Sequence, residues 1–364
     1  MKVLVVVDNL ETGGVARVVN NFRMLLSNDI VFDFITYVEP SKEYRKELIK
    51  KNSSIFIVKR VTRTTPLKYI KQIKKIANEN GPYQAIHIHT SYFIWLAALA
   101  AKQCNIKYIV GHAHGSQWLK TNFYVKTIEH IGRVLNSKYC TSCLSCSTKS
   151  GEYTFKNEFD FIPNVIHLEN SFFTNDYNYL YDELNIKDKI IIGYLGMFSN
   201  VKNTKFILEI ANYYMNSNNN KYHFVLAGNG IDFNETVNEA KLNGLNNITF
   251  LGYRNDTNEL LRFFDMLIVP SLSEGMSLSI LESQLLGTPV IASLGVPTTN
   301  DLHDNLFRKV STYEVKDWVD MIKNAPQSKK MTKKNAIDVL KKIGYDDETV
   351  KYKLMKAYGV DYEH

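Results

Sequence analysis

The chain has 364 residues, of which 45% are hydrophobic and 22% are charged, a composition that excludes a disordered or fibrous protein. This length favours two domains, and no run of eighteen apolar residues is present to form a membrane-spanning helix. The amino terminus MKVLVVVDNL enters a strand pattern directly and lacks the small-residue cleavage site of a signal peptide, so we expect a cytoplasmic protein.

The net charge of +7 is unevenly distributed along the chain. Residues 1–165 contain 23 Lys and Arg against 12 Asp and Glu, a balance of +11, whereas the remainder contains 21 against 25, a balance of −4. A basic half predicts an anionic partner such as a membrane surface, a nucleic acid or a phosphorylated acceptor. We do not expect nucleic acid, because no stripe of interleaved aromatic residues can be placed on one predicted face.

The first strand pattern, Lys2 to Val7, leads through DNLETGG into a helical pattern. Gly13 and Gly14 stand where a glycine loop could cradle a phosphate, but the G-x-G-x-x-G and G-K-[ST] spacings are both missing. Taken alone, the pair indicates a tight strand-to-helix turn.

A basic amphipathic helix is predicted within residues 59–80, where Leu67, Ile70, Ile73 and Ile76 recur at helical spacing. Such a helix can lie on anionic lipid headgroups, or it can pack its apolar stripe on the core and leave its lysines in water. Both interpretations stay open. The accompanying basic residues are Arg60, Arg63, Lys68, Lys71, Lys74 and Lys75.

Four histidines, His87, His89, His112 and His114, gather at the ends of two predicted strands, where parallel sheets expose their sites. A zinc site is conceivable, but no nearby acid completes it, and histidines satisfied within the core are commoner.

Three cysteines, Cys140, Cys143 and Cys146, form a C-x2-C-x2-C pattern. A metal site would need a fourth ligand from Cys104 or a histidine, so the simpler interpretation is a buried segment in a reducing compartment. We therefore expect no metal and no cofactor.

Strand and helix patterns alternate through both halves of the chain, which predicts an α/β protein with two doubly wound parallel sheets. We place the first domain at residues 1–165 and the second at residues 187–345, joined by a Tyr- and Asn-rich linker. Residues 346–364 are predicted to form a last helix.

The most informative stretch is DMLIVPSLSEGMSLSILESQLLGTPVIAS, residues 265–293. It predicts a strand, a polar loop with Glu274, a short helix with Glu282, a helix end at Gly287 and another strand. The backbone N–H groups of Gly275, Met276 and Ser277 open the helix and could bind a diphosphate. The competing interpretation is structural: Ser279 and Glu282 match a capping box.

The order E-G-M-S-L-S-I-L-E, before G-T-P-V-I-A-S, resembles the E-x7-E signature of retaining glycosyltransferases of family 4, which have the GT-B fold of two Rossmann-like domains and an interdomain cleft. The resemblance implies that Glu274 lies against the donor sugar, that Glu282 binds the nucleotide ribose, and that the intervening amides hold the diphosphate. It also assigns Gly14 to donor phosphate or acceptor, and it implies that the last helix, within residues 346–364, crosses back to the first domain. For the loop YIVGHAHGS it implies a donor-sugar histidine, either His112 or His114.

Lys202, followed by Asn203, matches the family lysine that pairs with the donor diphosphate, and a point charge suits a phosphate. Where the family usually has Arg, five residues earlier, this chain has Met197. Loss of that cation could remove several kcal/mol of transition-state stabilisation. Arg254 is a candidate replacement by sequence position. The I-P-N-G hinge of the family is I-P-N-V here, with Val165.

The resemblance implies a retaining, metal-independent hexosyl- or N-acetylhexosaminyltransferase that uses a nucleotide-sugar, commonly a UDP-sugar. Its acceptor would be a lipid-linked sugar or glycan in capsular or exopolysaccharide synthesis, at the cytoplasmic face of the membrane. Met197 and Val165 motivate an alternative, a non-catalytic GT-B subunit that binds glycan or a partner transferase. A nucleotide-sugar epimerase is a third interpretation, disfavoured by the E-x7-E loop.

Overall fold

The computed structural model describes residues 1–62, 65–90, 93–115, 123–169, 171–174, 176–217, 221–302, 305–329 and 331–361. The chain divides into two compact units. The first contains residues 1–165 and 344–364, and the second contains residues 166–343.

The first unit alternates strands and helices, as the sequence pattern predicts. Its elements are β1 (Lys2–Val6), α1 (Gly14–Leu26), β2 (Val31–Thr36), α2 (Lys42–Lys50), β3 (Ile55–Ile57), α3 (Pro66–Asn80), β4 (Ala85–Ile88), α4 (Ile94–Gln103), β5 (Tyr108–Ala113), α5 (Phe123–Tyr139), β6 (Ser142–Ser145), α6 (Thr148–Thr154), β7 (Asp160–Phe161) and, from the carboxyl terminus, α15 (Asp347–Ala357).

Within the described residues, the first unit has a seven-stranded parallel sheet in the order β3-β2-β1-β4-β5-β6-β7. Strands β2 and β3 lie on one side of β1, and β4 to β7 lie on its other side. The switch point of the sheet is therefore between β1 and β4. Val5 of β1 is in register with Phe34 of β2 and His87 of β4. This register brings the histidine-bearing strands to the middle of the sheet.

The core of the first unit forms where α3 and α4 cover the sheet. Helix α4 is almost entirely buried, which explains its nearly continuous run of Leu and Ala. Helix α3 buries Tyr69, Ile70, Ile73 and Ala77.

The buried stripe of α3 differs from the predicted one. Leu67 is 73% exposed, because it lies in the first turn and points away from the stripe centred on Ile70 and Ile73. Arg60 precedes the helix and pairs with Asp8, with Nη2 and Oδ2 2.9 Å apart, and Arg63 lies outside the described residues. Lys68, Lys71 and Lys75 are exposed, so the helix packs on the core and presents lysines to solvent.

The second unit repeats the alternation. Its elements are α7 (Ser171–Thr174), α8 (Tyr179–Leu184), β8 (Ile190–Leu195), α9 (Thr204–Asn216), β9 (Tyr222–Ala227), α10 (Phe233–Leu242), β10 (Ile248–Gly252), α11 (Thr257–Phe263), β11 (Met266–Val269), α12 (Leu278–Leu286), β12 (Val290–Ser293), β13 (Phe307–Val310), α13 (Val315–Lys323) and α14 (Lys333–Ile343). Two short 3-10 turns cover Asn200–Lys202 and Thr298–Asn300.

The described residues of the second unit form a six-stranded parallel sheet in the order β10-β9-β8-β11-β12-β13. Here the switch point lies between β8 and β11, the strands that precede Lys202 and Glu274. Two parallel-sheet Rossmann-like units confirm the predicted α/β fold class. The sheet topology therefore explains why residues 72 positions apart can share one site.

The β11–α12–β12 unit follows the sequence prediction closely. Gly287 ends α12 in the left-handed conformation, with φ at 88°, which glycine adopts without steric cost. The capping-box interpretation is wrong, because the helix begins at Leu278 and Ser277, rather than Ser279, is its N-cap residue. In the part of the chain that the structure describes, every helix is too short or too polar to cross a bilayer.

Candidate functional site

The predicted donor residues Lys202 and Glu274 meet at the switch point of the second sheet. Lys202 ends the turn that follows β8, and Glu274 lies in the loop after β11. Lys202 Nζ is 2.5 Å from Glu274 Oε1. The loops are also joined by their backbones, since Leu272 donates its N–H to the Val201 carbonyl at 2.7 Å. The structure thus brings together two residues that the family resemblance assigned to one site.

Glu274 is held as a buried carboxylate. Its side chain is 8% exposed, whereas that of Lys202 is 24% exposed. Ser271 donates its hydroxyl to the same Oε1 atom at 2.8 Å. Burial raises the pKa of the nearby Tyr194 phenol, and the negative charge of Glu274 raises this pKa further. The contacts with Lys202 and Ser271 fix the Glu274 carboxylate, whereas Lys202 stays partly accessible to a ligand.

The loop that opens α12 is shaped by a residue that the sequence analysis missed, Asn300. Its side-chain Oδ1 accepts the Ser277 N–H at 2.7 Å, and its Nδ2 donates to the Gly275 carbonyl at 2.9 Å. Nδ2 also donates to the Pro297 carbonyl at 3.1 Å, and the residue is fully buried. One of the three amides assigned to a diphosphate is therefore already bound to this side chain.

Gln284 holds Asn300 in turn. It donates Nε2 to the Asn300 carbonyl at 2.7 Å and accepts the Leu302 N–H at 3.0 Å. Buried amides that satisfy backbone groups in this way rigidify a loop. Neither residue belongs to a motif recognisable in the sequence, although both occur in a segment next to the E-x7-E stretch.

The other residues of the signature lie in the same segment. Gly275 and Met276 are buried, and Ser277 is partly exposed. Glu282 lies in the middle of α12 with only 1% exposure. The role of Glu282 toward a ribose stays a prediction, as do the roles of the loop amides toward a diphosphate.

The loop after β8 carries the departure from the family pattern. The Met197 side chain is 57% exposed, and its carbonyl accepts the Tyr194 hydroxyl at 2.8 Å. Two residues on, the buried Ser199 hydroxyl has no hydrogen-bond partner among the described residues. This loop therefore has an exposed apolar side chain at the position where the family usually has Arg, and beside it a buried hydroxyl with no partner among the described residues.

Arg254 has other partners. Its guanidinium pairs with Glu183, with Nη1 and Oε1 2.6 Å apart, and with Asp256, with Nη2 and Oδ2 also 2.6 Å apart. Hydrogen bonds from Arg254 lower the pKa of Asp256 to about 2. These contacts connect the start of α11 to α8, and they disfavour the prediction that Arg254 replaces the missing cation.

Gly13 and Gly14 form the start of α1. Gly13 has φ at 98° and serves as the N-cap, a conformation that favours glycine. A Cβ atom built on either residue meets no atom within 4 Å among the described residues. Packing in this unit thus does not require glycine at position 14, and its predicted role toward a ligand stays a prediction.

The four histidines form one cluster in the first unit. His87 lies in β4 and His112 in β5, while His89 and His114 follow those strands. His87 Nε2 is 3.2 Å from His112 Nδ1, and His89 Nδ1 is 2.8 Å from His114 Nε2. On its other side, His87 Nδ1 is 2.7 Å from the Tyr358 hydroxyl of the segment after α15.

Burial distinguishes the two histidines between which the sequence could not choose. His112 is fully buried, whereas His114 is partly exposed at the carboxyl end of β5. Burial lowers the pKa of His114 to about 3, and burial together with the charge of His114 lowers that of His87 to about 3. The imidazoles of His87 and His114 are therefore neutral at physiological pH, and His114 is the more exposed of the two candidate histidines.

The cysteine segment packs against the core. Cys146 is buried, and Cys140 and Cys143 are partly buried beside the hydrophobic cluster of the first unit. A hydrogen bond with Cys143 and burial raise the pKa of the Cys140 thiol. Thiols packed in this way match the structural interpretation of the C-x2-C-x2-C pattern.

A family model described as "Glycosyl transferases group 1" matches residues 189–324, which contain Lys202, Glu274, Glu282 and Asn300. The chain is 28% identical over 377 aligned positions to EpsF of Bacillus subtilis (strain 168), an alignment that covers 100% of this chain and 97% of EpsF. It is 27% identical to the UDP-Gal:alpha-D-GlcNAc-diphosphoundecaprenol alpha-1,3-galactosyltransferase of Escherichia coli, over 58% of each chain.

Solved structures share the fold. A structure of Anabaena Alr3699/HepE in complex with UDP-glucose superposes with a TM-score of 0.78 at 16% identity, covering 99% of each chain.

Proposed function

We propose that this chain, which has the GT-B fold and matches the group 1 glycosyltransferase model over residues 189–324, moves a sugar from a UDP-sugar to a lipid-linked or glycan acceptor, with retention of anomeric configuration. The acceptor belongs to the synthesis of a capsular or exopolysaccharide. This proposal joins the family match to the residues gathered at the switch point of the second sheet.

The observation that carries the proposal is the contact between Lys202 and Glu274 at the opening of α12. A helix amino terminus, a partly exposed ammonium group and a buried carboxylate provide complementary groups for an anionic diphosphate and an adjoining sugar. The Alr3699/HepE structure, whose title names UDP-glucose, supports a nucleotide-sugar as the ligand.

In the proposed mechanism, Lys202 and the backbone amides of the Gly275 loop neutralise the diphosphate as it leaves the sugar. Backbone dipoles that are already oriented need no reorganisation during the reaction, so they can stabilise this developing charge. Asn300 keeps the loop in place, and Glu282 binds the ribose. We propose that this site needs no metal ion, because the charge is neutralised by the lysine and the amides.

In the first unit, we assign to His114 the donor-sugar role that the family resemblance gave to either histidine. Its partial exposure supports this choice over the fully buried His112. His114 Nε2 lies 2.8 Å from His89 Nδ1, an interaction that orients the ring. Gly14, whose surroundings are open, is the proposed point of close approach for donor phosphate or acceptor.

A lipid-linked acceptor is supported by the diphosphoundecaprenol named for the Escherichia coli relative. Exposed Lys68, Lys71 and Lys75 on α3 provide a basic surface for anionic headgroups at the cytoplasmic face of the membrane. Replacing these three lysines with Gln should weaken binding to anionic vesicles. Unchanged binding would remove the membrane from the proposal without affecting the donor site.

The donor experiment uses purified full-length protein and a panel of UDP- and GDP-sugars, with binding measured by calorimetry and slow hydrolysis measured as nucleotide release. We expect one UDP-sugar to bind and Lys202→Ala to weaken that binding at least roughly tenfold, since one charge-assisted contact contributes about 1.5–3 kcal/mol. Lys205→Ala is the matched control, because that lysine is partly exposed and pairs with Glu235 and Glu239.

A second function is favoured by Met197, which leaves the loop after β8 without the family cation. Donor binding without hydrolysis or transfer would indicate a non-catalytic subunit that binds glycan or a partner transferase. If no nucleotide-sugar binds, the donor proposal is refuted.

A further inference from the structure

Three of the clustered histidines come close enough to share one ion. One ring nitrogen from each of His87, His89 and His112 lies within 4.8 Å of the others. The three side chains belong to residues that are 1%, 4% and 0% exposed. Phe22 of α1 covers the group, with its ring centroid 5.7 Å from that of His112 and 6.3 Å from that of His87. The group is thus enclosed by the central strands and one aromatic ring.

Contrary to the expectation of no metal drawn from the sequence, we propose that His87, His89 and His112 bind a divalent transition-metal ion, with Zn²⁺ as the expected occupant. Imidazole suits Zn, Cu and Ni, whereas Mg²⁺ and Ca²⁺ require oxygen ligands, and this group contains no carboxylate. The site lies in the first unit, and its ligands do not belong to the donor residues of the second unit.

The distances between nitrogens support this inference. Two nitrogens bound to one tetrahedral Zn²⁺, each about 2.0–2.1 Å from the ion, are about 3.3 Å apart. His87 Nε2 and His112 Nδ1 are 3.2 Å apart, so this pair already has the required spacing. If all three separations were 4.8 Å, each nitrogen would have to move inward by about 0.8 Å to reach that spacing. Rotation of the imidazole rings can provide such a movement.

The outer hydrogen bonds orient two of the ligands. A metal-bound histidine usually donates its second ring N–H to a neighbouring acceptor, which fixes the tautomer. His87 can donate Nδ1–H to the Tyr358 hydroxyl at 2.7 Å, which leaves Nε2 for the ion. His89 can likewise donate Nδ1–H to His114 Nε2 at 2.8 Å. The Tyr358 hydroxyl and His114 Nε2 therefore lie where they can accept the second ring N–H of a metal-bound histidine.

His112 supplies the third ligand through Nδ1, the atom that contacts His87 Nε2. Its Nε2 atom is buried and has no hydrogen-bond partner among the described residues. When the ion replaces the contact between His87 Nε2 and His112 Nδ1, the His112 proton moves to Nε2. The ligands stay neutral and no proton is released, so the ion retains its full charge and an anion or water completes its coordination.

The first test uses full-length protein freed of metal with a chelator and titrated with Co²⁺, a spectroscopic substitute for Zn²⁺. We expect one equivalent to bind with visible d–d absorption, Zn²⁺ to displace it, and either ion to raise the Tm. X-ray absorption of the Zn²⁺ form should show at least three imidazole ligands.

The variants His87→Asn and His89→Asn remove the inward nitrogen and retain a group near Nδ1 for the outer hydrogen bond. Each should weaken metal binding roughly tenfold or more. His130→Asn is the matched control, because His130 is an exposed residue of the same unit.

Failure of the wild-type protein to bind Co²⁺ or Zn²⁺ would overturn the proposal. The proposal would also be overturned if His87→Asn and His89→Asn lost no more metal affinity than His130→Asn. The same holds if the bound metal had fewer than three imidazole ligands. Circular dichroism of the metal-free variants checks that they fold. If they do not fold, the number of imidazoles in the wild-type absorption spectrum decides the question, independently of any nucleotide-sugar measurement.

Discussion

Replacing Asn300 with Ala should loosen the loop that opens α12 and thereby weaken nucleotide-sugar binding. The substitution removes three side-chain hydrogen bonds, to Ser277, Gly275 and Pro297, from a fully buried position. An unsatisfied buried polar group costs about 1–3 kcal/mol, so the loss of stability should be about 2–5 kcal/mol. The released Ser277 amide no longer has a fixed direction, and we expect the donor Kd to rise roughly tenfold, or by about 1.4 kcal/mol.

The matched control is Asn247→Ala, which changes the same residue type in the same unit. Asn247 is buried and donates Nδ2 to the Ala211 carbonyl at 2.9 Å. Its loss should cost about 1–2 kcal/mol of stability without changing donor affinity. Urea unfolding measures the first quantity and calorimetry the second. If Asn300→Ala leaves the donor Kd unchanged, or if Asn247→Ala raises it equally, Asn300 does not position the loop.

Two further substitutions test one residue in each unit that the proposal connects with a ligand. Gly14→Ala should leave the Tm nearly unchanged, because the added Cβ meets open space, but it should reduce sugar transfer if a ligand approaches the backbone there; full activity in a transfer assay would remove Gly14 from the site. Met197→Arg adds a cation on an exposed side chain, so we expect it to fold normally and to lower the Kd for UDP severalfold. An unchanged Kd would mean that position 197 does not face the diphosphate.

Local pattern was enough to predict the β11–α12–β12 unit. Met266 to Val269 is a short apolar run, and Gly287 supplies the left-handed residue that ends the helix, so the signals lie within a few residues of each other. The α3 stripe shows the limit of such reasoning. Its apolar periodicity fits more than one face, and the choice between Leu67 and Tyr69 depends on helices and strands elsewhere in the chain.

The site itself depends on contacts distant in sequence. Lys202 and Glu274 are 72 residues apart, and only the family resemblance linked them before the sheet topology did. Asn300 is 23 residues from Ser277 and belongs to no motif. Arg254 is a candidate cation by sequence position, but two nearby carboxylates bind it. Sequence gives residue types and local order, whereas the partners of a buried polar group are determined by tertiary packing.

The contact between Lys202 and Glu274 has a consequence for the order in which the proposed site acts. The lysine is neutralised by the carboxylate at 2.5 Å in this structure, so an arriving diphosphate has to compete with Glu274 for it. Glu274→Gln removes the competing charge and keeps an oxygen for the Ser271 hydroxyl.

We therefore expect Glu274→Gln to bind UDP about fivefold more tightly, or by about 1 kcal/mol, and to lose sugar transfer because the carboxylate is missing beside the donor sugar. Calorimetry with UDP and a transfer assay with the identified donor measure the two effects separately. Glu235→Gln, a change to the exposed partner of Lys205, serves as the control and should alter neither quantity. Weaker UDP binding by Glu274→Gln would mean that the carboxylate helps to orient Lys202 for the diphosphate instead of competing with it.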